Sequence, residues 1–343
     1  VLTPYVIPKS LHARKVVNIG DGFILRAIER LVGTFSPRRT FSSRVAPSHE
    51  AQTILEECSA VILAGANQLD DDYTVWPGLT PDRIRQGKLR FVPFGIGLHG
   101  APDKNVALSQ ASRAVLEALH ERIEFSSWRC SRTVAVLRRE LPHLAERFLM
   151  TGCPVVYDRP LLEGNGFNGS EASVVVTATE RHEFLDRETK VLDVVAKRFH
   201  ASRLYFVIHQ NVSPPTLFEG LRHRFMARSP RELGNQVEAL RLYARRLGFK
   251  VVIPRDTDEC LRLYGKMDVH VGTRLHAHLL FLSQNKRSYL VPVDGRSVGI
   301  AADLGFPLSV PEQLSANWDC DFEVVRRRAR ESFQVMTRFV SSL

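Results

Sequence analysis

No apolar run in these 343 residues approaches the roughly 20 that would span a bilayer, and the longest candidates are broken by Arg, His or Gly. The leading stretch VLTPYVIPKSLHARK has too short an apolar part, with two prolines in it, for a signal peptide, so the expected location is the cytoplasm. Cysteine is sparse: five residues, at 58, 130, 153, 260 and 320, odd in number and never in a CxxC arrangement. That argues against a disulfide framework and a zinc site and suits a reducing compartment. There is no internal repeat, no low-complexity tract, and no RNP-like or helix-turn-helix signature. Lys and Arg are spread along the chain with one dense cluster, so nucleic acid is not the expected partner.

What is present is an ordinary globular composition, 44% hydrophobic and 24% charged, with a formal net charge of +10. The length suits two domains of roughly 150 residues each. The charge favours anionic partners such as phosphorylated metabolites, a lipid-linked substrate or an anionic lipid surface, without choosing among them.

Short apolar strands alternate with amphipathic helices, the pattern of stacked βα units on parallel sheets in an α/β fold. In the first half, strands are expected near 5–7, 60–64, 89–94 and 123–126, and helices near 22–31, 113–119 and 132–140. The Gly-, Asn- and Pro-rich stretch RPLLEGNGFNGSE, residues 159–171, is the linker candidate. Beyond it, strands are expected at 173–177, 204–208, 250–254, 267–271 and 288–292, and helices at 189–199 and 230–247. The division is therefore 1–158, linker 159–171, 172–310 and a C-terminal helical segment 311–343. Two such halves enclose a cleft, and ligands of open α/β sheets bind beyond the carboxyl ends of the strands. In the segment 321–339, Phe322, Val325, Ala329, Phe333 and Met336 recur near helical spacing beside Arg326, Arg327, Arg328 and Arg330. A closing helix across both domains is favoured over a helix on a membrane surface.

The most informative motif is MDVHVGTRLHAHLLF, Met267 to Phe281: a strand, a Gly-Thr break, then a helix start. Helix starts leave backbone N–H groups unpaired and gather anions. Thr273 is placed to cap the helix, with Arg274 and His276 in its first turn. Arg274 offers a forked permanent charge, and His276 a proton that moves near neutral pH. Asp294-Gly295-Arg296, at the next strand end, adds a second cation. His270, His276 and His278 raise the question of a metal. On a helix, however, His276 and His278 point about 200° apart, and chelation by that pair is poor. His278 reads more naturally as a core or surface histidine.

The first half has three glycine-bearing turns: Asn18-Ile19-Gly20-Asp21-Gly22 before a helix, Leu63-Ala64-Gly65-Ala66-Asn67, and Pro93-Phe94-Gly95-Ile96-Gly97. Each alone suits a tight turn. Together they suggest a glycine-lined rim on which Asn18, Asp21 and Asn67 bond hydroxyls beside Gly65 and Gly97. Ser126 to Thr133, SSWRCSRT, brings Arg129 and Arg132 to another strand end. In Thr151-Gly152-Cys153-Pro154 the thiol has no evident base or electropositive pocket, so Cys153 reads as buried structure.

In this order, the NxGD turn, the glycine-bearing strand, the SxR strand end, TGCP before the linker and GTRLHAHLLFLSQNKRSYLVPVDGR resemble the polysaccharide pyruvyl transferase family over most of the chain. The specific part is the segment around Arg274-Leu275-His276. The resemblance implies two Rossmann-like domains facing across a cleft, in GT-B-like fashion, with acceptor binding in the first and donor binding in the second. It implies transfer of a pyruvyl group from phosphoenolpyruvate to sugar hydroxyls, forming a ketal, with phosphoenolpyruvate as co-substrate and neither cofactor nor metal. Arg274 would anchor the donor and His276 act as acid, with Thr273, His278, Arg296 and Arg181 around the donor. Arg181 stands a little beyond the family's arginine after the first strand of the second domain. Asn18, Asp21, Gly65, Asn67, Gly97 and Arg129 would face the acceptor. The acceptor implied is a nucleotide- or lipid-linked saccharide of cell-envelope or exopolysaccharide synthesis, which keeps the inner face of the membrane open as a location. The chain departs from the family at Cys130, where many members carry an acid, and at Gly65-Ala66, where they carry a glycine pair.

Two alternatives remain at this stage. One is a GT-B glycosyltransferase using a nucleotide sugar. The paired glutamates of many retaining members have no counterpart here, since no glutamate lies between Glu259 and Glu312. The other is a non-catalytic sugar- or phosphate-binding protein of the same fold, against which the presence of Arg274 and His276 counts mildly.

Overall fold

The computed structural model describes residues 1–5, 18–33, 39–100, 105–179, 182–209 and 236–343. Its first half runs β1 (Leu2–Thr3), α1 (Ile19–Val32), β2 (Phe41–Ser42), α2 (His49–Glu56), β3 (Val61–Ala64), β4 (Asn67–Leu69), α3 (Pro81–Gln86), β5 (Phe91–Phe94), β6 (Gly97–Leu98), α4 (Gln110–His120), β7 (Ser126–Trp128), α5 (Ser131–Glu140) and β8 (Phe148–Met150). Strands β2-β1-β3-β5 form a parallel sheet. The parallel pair β7-β8 joins its edge through Gly95 N–H to Ser127 O (3.0 Å). Such strands are covered on both faces, which is why FVPF is buried at every position.

The second half runs α6 (Arg159–Glu163), β9 (Ser173–Thr177), α7 (Leu185–Arg198), β10 (Arg203–Val207), α8 (Gln236–Arg246), β11 (Lys250–Val252), α9 (Thr257–Gly265), β12 (Val269–Gly272), α10 (Leu275–Ser283), β13 (Ser288–Leu290), α11 (Gly295–Leu304) and α12 (Glu323–Ser341). Its five strands are all parallel, in the order β11-β10-β9-β12-β13. The molecule is thus α/β with two Rossmann-like units, as the alternating pattern led us to expect.

Several boundaries differ from expectation. The 123–126 strand lies instead at Ser126–Trp128, because Ile123 closes the preceding turn and the sheet edge is met by Ser127. The linker is not wholly irregular: Asp158 accepts from Arg159 N–H (2.9 Å) and starts the short α6. Residues 6–7 of the first expected strand and 230–235 of one expected helix lie outside the described residues.

Helix α12 closes the molecule. Its Phe322, Val325, Ala329 and Met336 are buried, and Phe339 meets Phe94 edge-on with ring centroids 5.0 Å apart. Three of the four clustered arginines bond carbonyls, while Arg327 is exposed. Arg326 donates to Leu161 O (3.3 Å), Gly164 O and Gly166 O (2.8 Å), Arg328 to Ala302 O (2.6 Å) and Arg330 to Leu162 O (2.6 Å). Its apolar stripe is buried against the body of the molecule, as a closing helix requires. Among the described residues no helix is long and apolar enough to cross a membrane.

The halves also touch between α1 and α9. Arg26 forks onto Asp258 at 3.1 and 2.7 Å; both side chains are half exposed, so the pair contributes no more than about 1 kcal/mol. Beside it, a Cβ on Gly22 would lie 1.9 Å from Thr257 Oγ1. Only glycine lets the helices approach this closely, which brings the start of α1 up to the second sheet.

Candidate active site

Strand β12 ends at Gly272, with φ of 149°, where a Cβ would lie 2.2 Å from Thr177 O on β9. Any side chain there would push the two strands apart, so the Gly-Thr break is fixed by sheet packing. Thr273 then does not cap α10. Its hydroxyl donates to Glu188 Oε1 (3.3 Å), and the N-cap position falls to Arg274, with no side-chain cap bond. Arg274 therefore precedes the first turn and His276 stands second in it. The correction follows from burial: Glu188, on α7, is a buried acid that needs donors, and it takes the Thr179 N–H, the Thr179 hydroxyl (2.7 Å) and Thr273 together. Burial holds the Glu188 carboxyl above its ordinary value. Arg274 donates to Ala178 O (2.6 Å) and Thr179 O (3.0 Å), which fasten its guanidinium to the exit of β9.

The start of α1 meets the start of α10. Asn18 caps α1 by accepting from Gly20 N–H (3.1 Å), and a Cβ on Gly20 would lie 3.1 Å from His276 Nδ1. Two helix N-termini, one from each half, thus border one cavity of 40 Å³ whose walls include Asn18, Gly20, His209, Arg274, His276 and Arg296. That is room for a few waters.

Around it the ionisable groups are buried and unevenly matched. Arg129 is 1% exposed; it donates from Nε to Gly95 O (3.2 Å) and from Nη1 to Asn67 Oδ1 (3.1 Å), while Nη2 has no partner among the described residues. Burial lowers its affinity for the proton, and Arg296 pushes the same way against Cys153, Cys130 and Asp21. His276, 5% exposed, has Nε2 without a partner among the described residues. Burial, and then Arg129, Arg296, His209 and Arg274, hold it well below the ordinary histidine value. Its surroundings therefore favour the neutral imidazole. Asp21, 7% exposed, is raised by burial, while Arg296, Arg44, Arg129 and Arg274 pull it down. Arg296 is tied to Asp294 by Nε (2.9 Å) and Nη2.

A buried donor left unpaired costs about 1–3 kcal/mol, more when charged. Two such atoms, Arg129 Nη2 and His276 Nε2, belong to one electrostatically coupled group. Arg129 lines a second cavity, of 280 Å³, together with Cys153, Asp303 and Arg328, and its charge acts on His276.

The structure thus draws together Asn18, Asp21, Asn67, Gly97 and Arg129 from the first half with Thr273, Arg274, His276 and Arg296 from the second. Gly97 borders Arg129, since a Cβ there would lie 3.5 Å from its Nε. Arg129, expected on the acceptor side, stands within the coupled charges around His276. Two expected residues do not join. His278 turns its Nδ1 to Ser288 Oγ (2.8 Å), which also meets His270 Nδ1 (2.8 Å), and its ring to Phe306 at 4.4 Å; it is a core histidine, placed there by the helical offset from His276. Gly65, at φ 46°, is a packing glycine, since a Cβ would lie 2.3 Å from Ile24 Cγ2 on α1. Arg181 lies outside the described residues. Cys153 is buried, with its thiol raised by burial, as a structural cysteine is.

Sequence reasoning missed Glu188 and His209. The signal for Glu188 was an acid on the apolar face of α7; that for His209 was its place at a strand exit, FVIHQ. His209 shares its Nε2 with the Tyr264 hydroxyl, and its carbonyl accepts the Ile19 N–H (3.4 Å), which ties the second sheet to the start of α1.

No protein-family model and no curated protein matches the chain. Among solved structures, UDP-GlcNAc 2-epimerase from Methanocaldococcus jannaschii is similar with a TM-score of 0.49 and 12% identity, covering 94% of this chain and 96% of that one. The accessory secretory protein 1, 2 and 3 structure from Streptococcus pneumoniae gives 0.44 and 12%, over 94% and 55%. The wall teichoic acid polymerase TagF gives 0.39 and 12%, over 94% and 81%. Nothing about this chain's reaction follows from likenesses at this level.

Proposed function

We propose that this chain is a phosphoenolpyruvate-dependent pyruvyl transferase acting on sugar hydroxyls of a nucleotide- or lipid-linked saccharide, in GT-B-like fashion, in the cytoplasm or at the inner face of the membrane. The observation that carries the reading is that Arg129 Nη2 and His276 Nε2 are each buried and without a partner among the described residues, with Arg129, Arg296 and Arg274 all acting on the charge of His276. Phosphoenolpyruvate carries two anionic groups on a small frame and an enol carbon that accepts a proton. Arg129, Arg274 and Arg296 hold the phosphate and carboxylate, neutralising charge that would otherwise remain buried.

His276, brought to its protonated form by the bound anion, gives its proton to the enol methylene. The carbon bearing the phosphate becomes oxocarbenium-like, a sugar hydroxyl attacks it, and the carbon–oxygen bond to phosphate breaks. A second hydroxyl of the same saccharide closes the ketal. Of the two hydroxyl protons, one replaces that given by His276 and the other leaves with inorganic phosphate, so donor and diol become ketal and phosphate. Asn18, Asp21, Asn67 and Gly97 line the acceptor side, and the reaction needs no cofactor.

The test is phosphate release from phosphoenolpyruvate across a panel of saccharide acceptors, beside the same panel with nucleotide sugars. Stoichiometric phosphate with added acceptor mass supports the reading. Turnover with a nucleotide sugar, and none with phosphoenolpyruvate, sinks it.

A further inference from the structure

Helix α5 begins directly after Arg129, yet nothing local caps it. Cys130 occupies the N-cap position in extended backbone and makes no cap bond. The missing carboxylate comes from 172 residues away. Asp303, near the end of α11, accepts the Ser131 N–H on Oδ2 (2.8 Å) and the Ser131 hydroxyl on Oδ1 (2.5 Å). The same two helices are in contact one turn earlier, where a Cβ on Gly299 would lie 3.0 Å from Cys130 Sγ. Helix α11 starts with Arg296, held by its own N-cap Asp294. One rigid helix therefore carries an anion-site arginine at its start and, at its other end, the cap of the helix that follows the site's other buried arginine.

We propose that Asp303 is a positioning residue: by capping α5 across the cleft it fixes Arg129 and Arg296 at the spacing that receives one anion. This rests on the reading of Arg129 and Arg296 as anion anchors given above. A carboxylate suits the place because its charge meets the positive end of α5 and its two oxygens take both donors of Ser131. Arg129 has two side-chain bonds of its own, to Gly95 O and Asn67 Oδ1. They orient it relative to the first sheet only. The distance to Arg296 is set where α5 meets α11.

The experiment is a double-mutant cycle read as binding of phosphoenolpyruvate, and separately of inorganic phosphate, by titration calorimetry on the full chain. Asp303→Ala should weaken binding about tenfold. Asp303→Asn, which still accepts the backbone N–H, should stay within about threefold of wild type. Arg129→Met should weaken binding strongly, and Asp303→Ala added to it should cost nothing further, since the residue it positions is gone. Losses that multiply in the double variant would show a general structural role and overturn the proposal, as would Asp303→Asn behaving like Asp303→Ala. If Asp303→Ala does not fold, Ser131→Ala, which removes only the hydroxyl bond, runs the same cycle. A wild type that binds phosphate but not phosphoenolpyruvate refutes the donor reading while the phosphate cycle still judges Asp303; a wild type that binds neither refutes both.

Discussion

Binding of phosphoenolpyruvate should take up a proton, and His276 should be the group that takes it. Burial and the neighbouring arginines favour the neutral imidazole. The arriving donor reverses the sign of its surroundings. One unit of negative charge about 4 Å away is worth roughly 4 kcal/mol at an effective dielectric of 20, whereas each tenfold change in protonation needs only about 1.4 kcal/mol. With phosphate and carboxylate both present, the imidazolium becomes the stable form. Calorimetry near neutral pH in buffers of differing ionisation enthalpy should therefore show close to one proton gained per bound donor. The affinity should fall about tenfold for each unit of rising pH, the slope that one linked proton imposes. His276→Gln should abolish uptake and flatten the pH dependence while leaving a bound complex. Zero uptake by the wild type, or uptake that persists in His276→Gln, would remove His276 as the acid.

Arg129→Met takes away a buried cation together with its bonds to Gly95 O and Asn67 Oδ1; phosphoenolpyruvate binding, read by titration calorimetry, should fall about ten- to hundredfold for the loss of a charged hydrogen bond. His278→Leu should lower stability by about 1–3 kcal/mol in denaturant titrations, through the bond lost to Ser288, and leave donor affinity within about twofold. Glu188, whose carboxyl burial holds up, keeps its proton to higher pH when folded than when unfolded. Its contribution is full below the unfolded value of about 4.3 and is lost as pH rises through the folded one. Urea midpoints of Glu188→Gln should accordingly gain on wild type as pH rises above about 4.3, and a constant difference would contradict the assignment.

The second parallel sheet was legible in the sequence because its central strands are buried and read as apolar runs, SVVVT at its observed limits; in the first, β1 at Leu2–Thr3 and β2 at Phe41–Ser42 are two-residue strands too short to leave such a run. The segment Met267 to Phe281 was legible too, since a glycine at a strand end followed by Arg274 and His276 leaves little choice but a helix start. What local pattern cannot hold is the partner across the cleft. Thr273 looked like a cap because Glu188 was not in view, and Gly65 looked like a rim residue because Ile24 was not. Arg129 was separated from His276 by 146 intervening residues, so only the folded chain shows that burial couples them. The lowered proton affinity of His276 is hidden from the sequence for the same reason: its cause is three-dimensional burial among arginines.

The central claim is that the pyruvyl group moves from phosphoenolpyruvate through protonation of its enol carbon. The most direct measurement is transfer from phosphoenolpyruvate labelled with carbon-13 at the methylene, run in heavy water and read by NMR of the saccharide product. A labelled ketal methyl carrying one deuterium, with equal phosphate released and both lost in His276→Gln, is the predicted result. A product without the label, or transfer that depends on a nucleotide sugar instead, would contradict it.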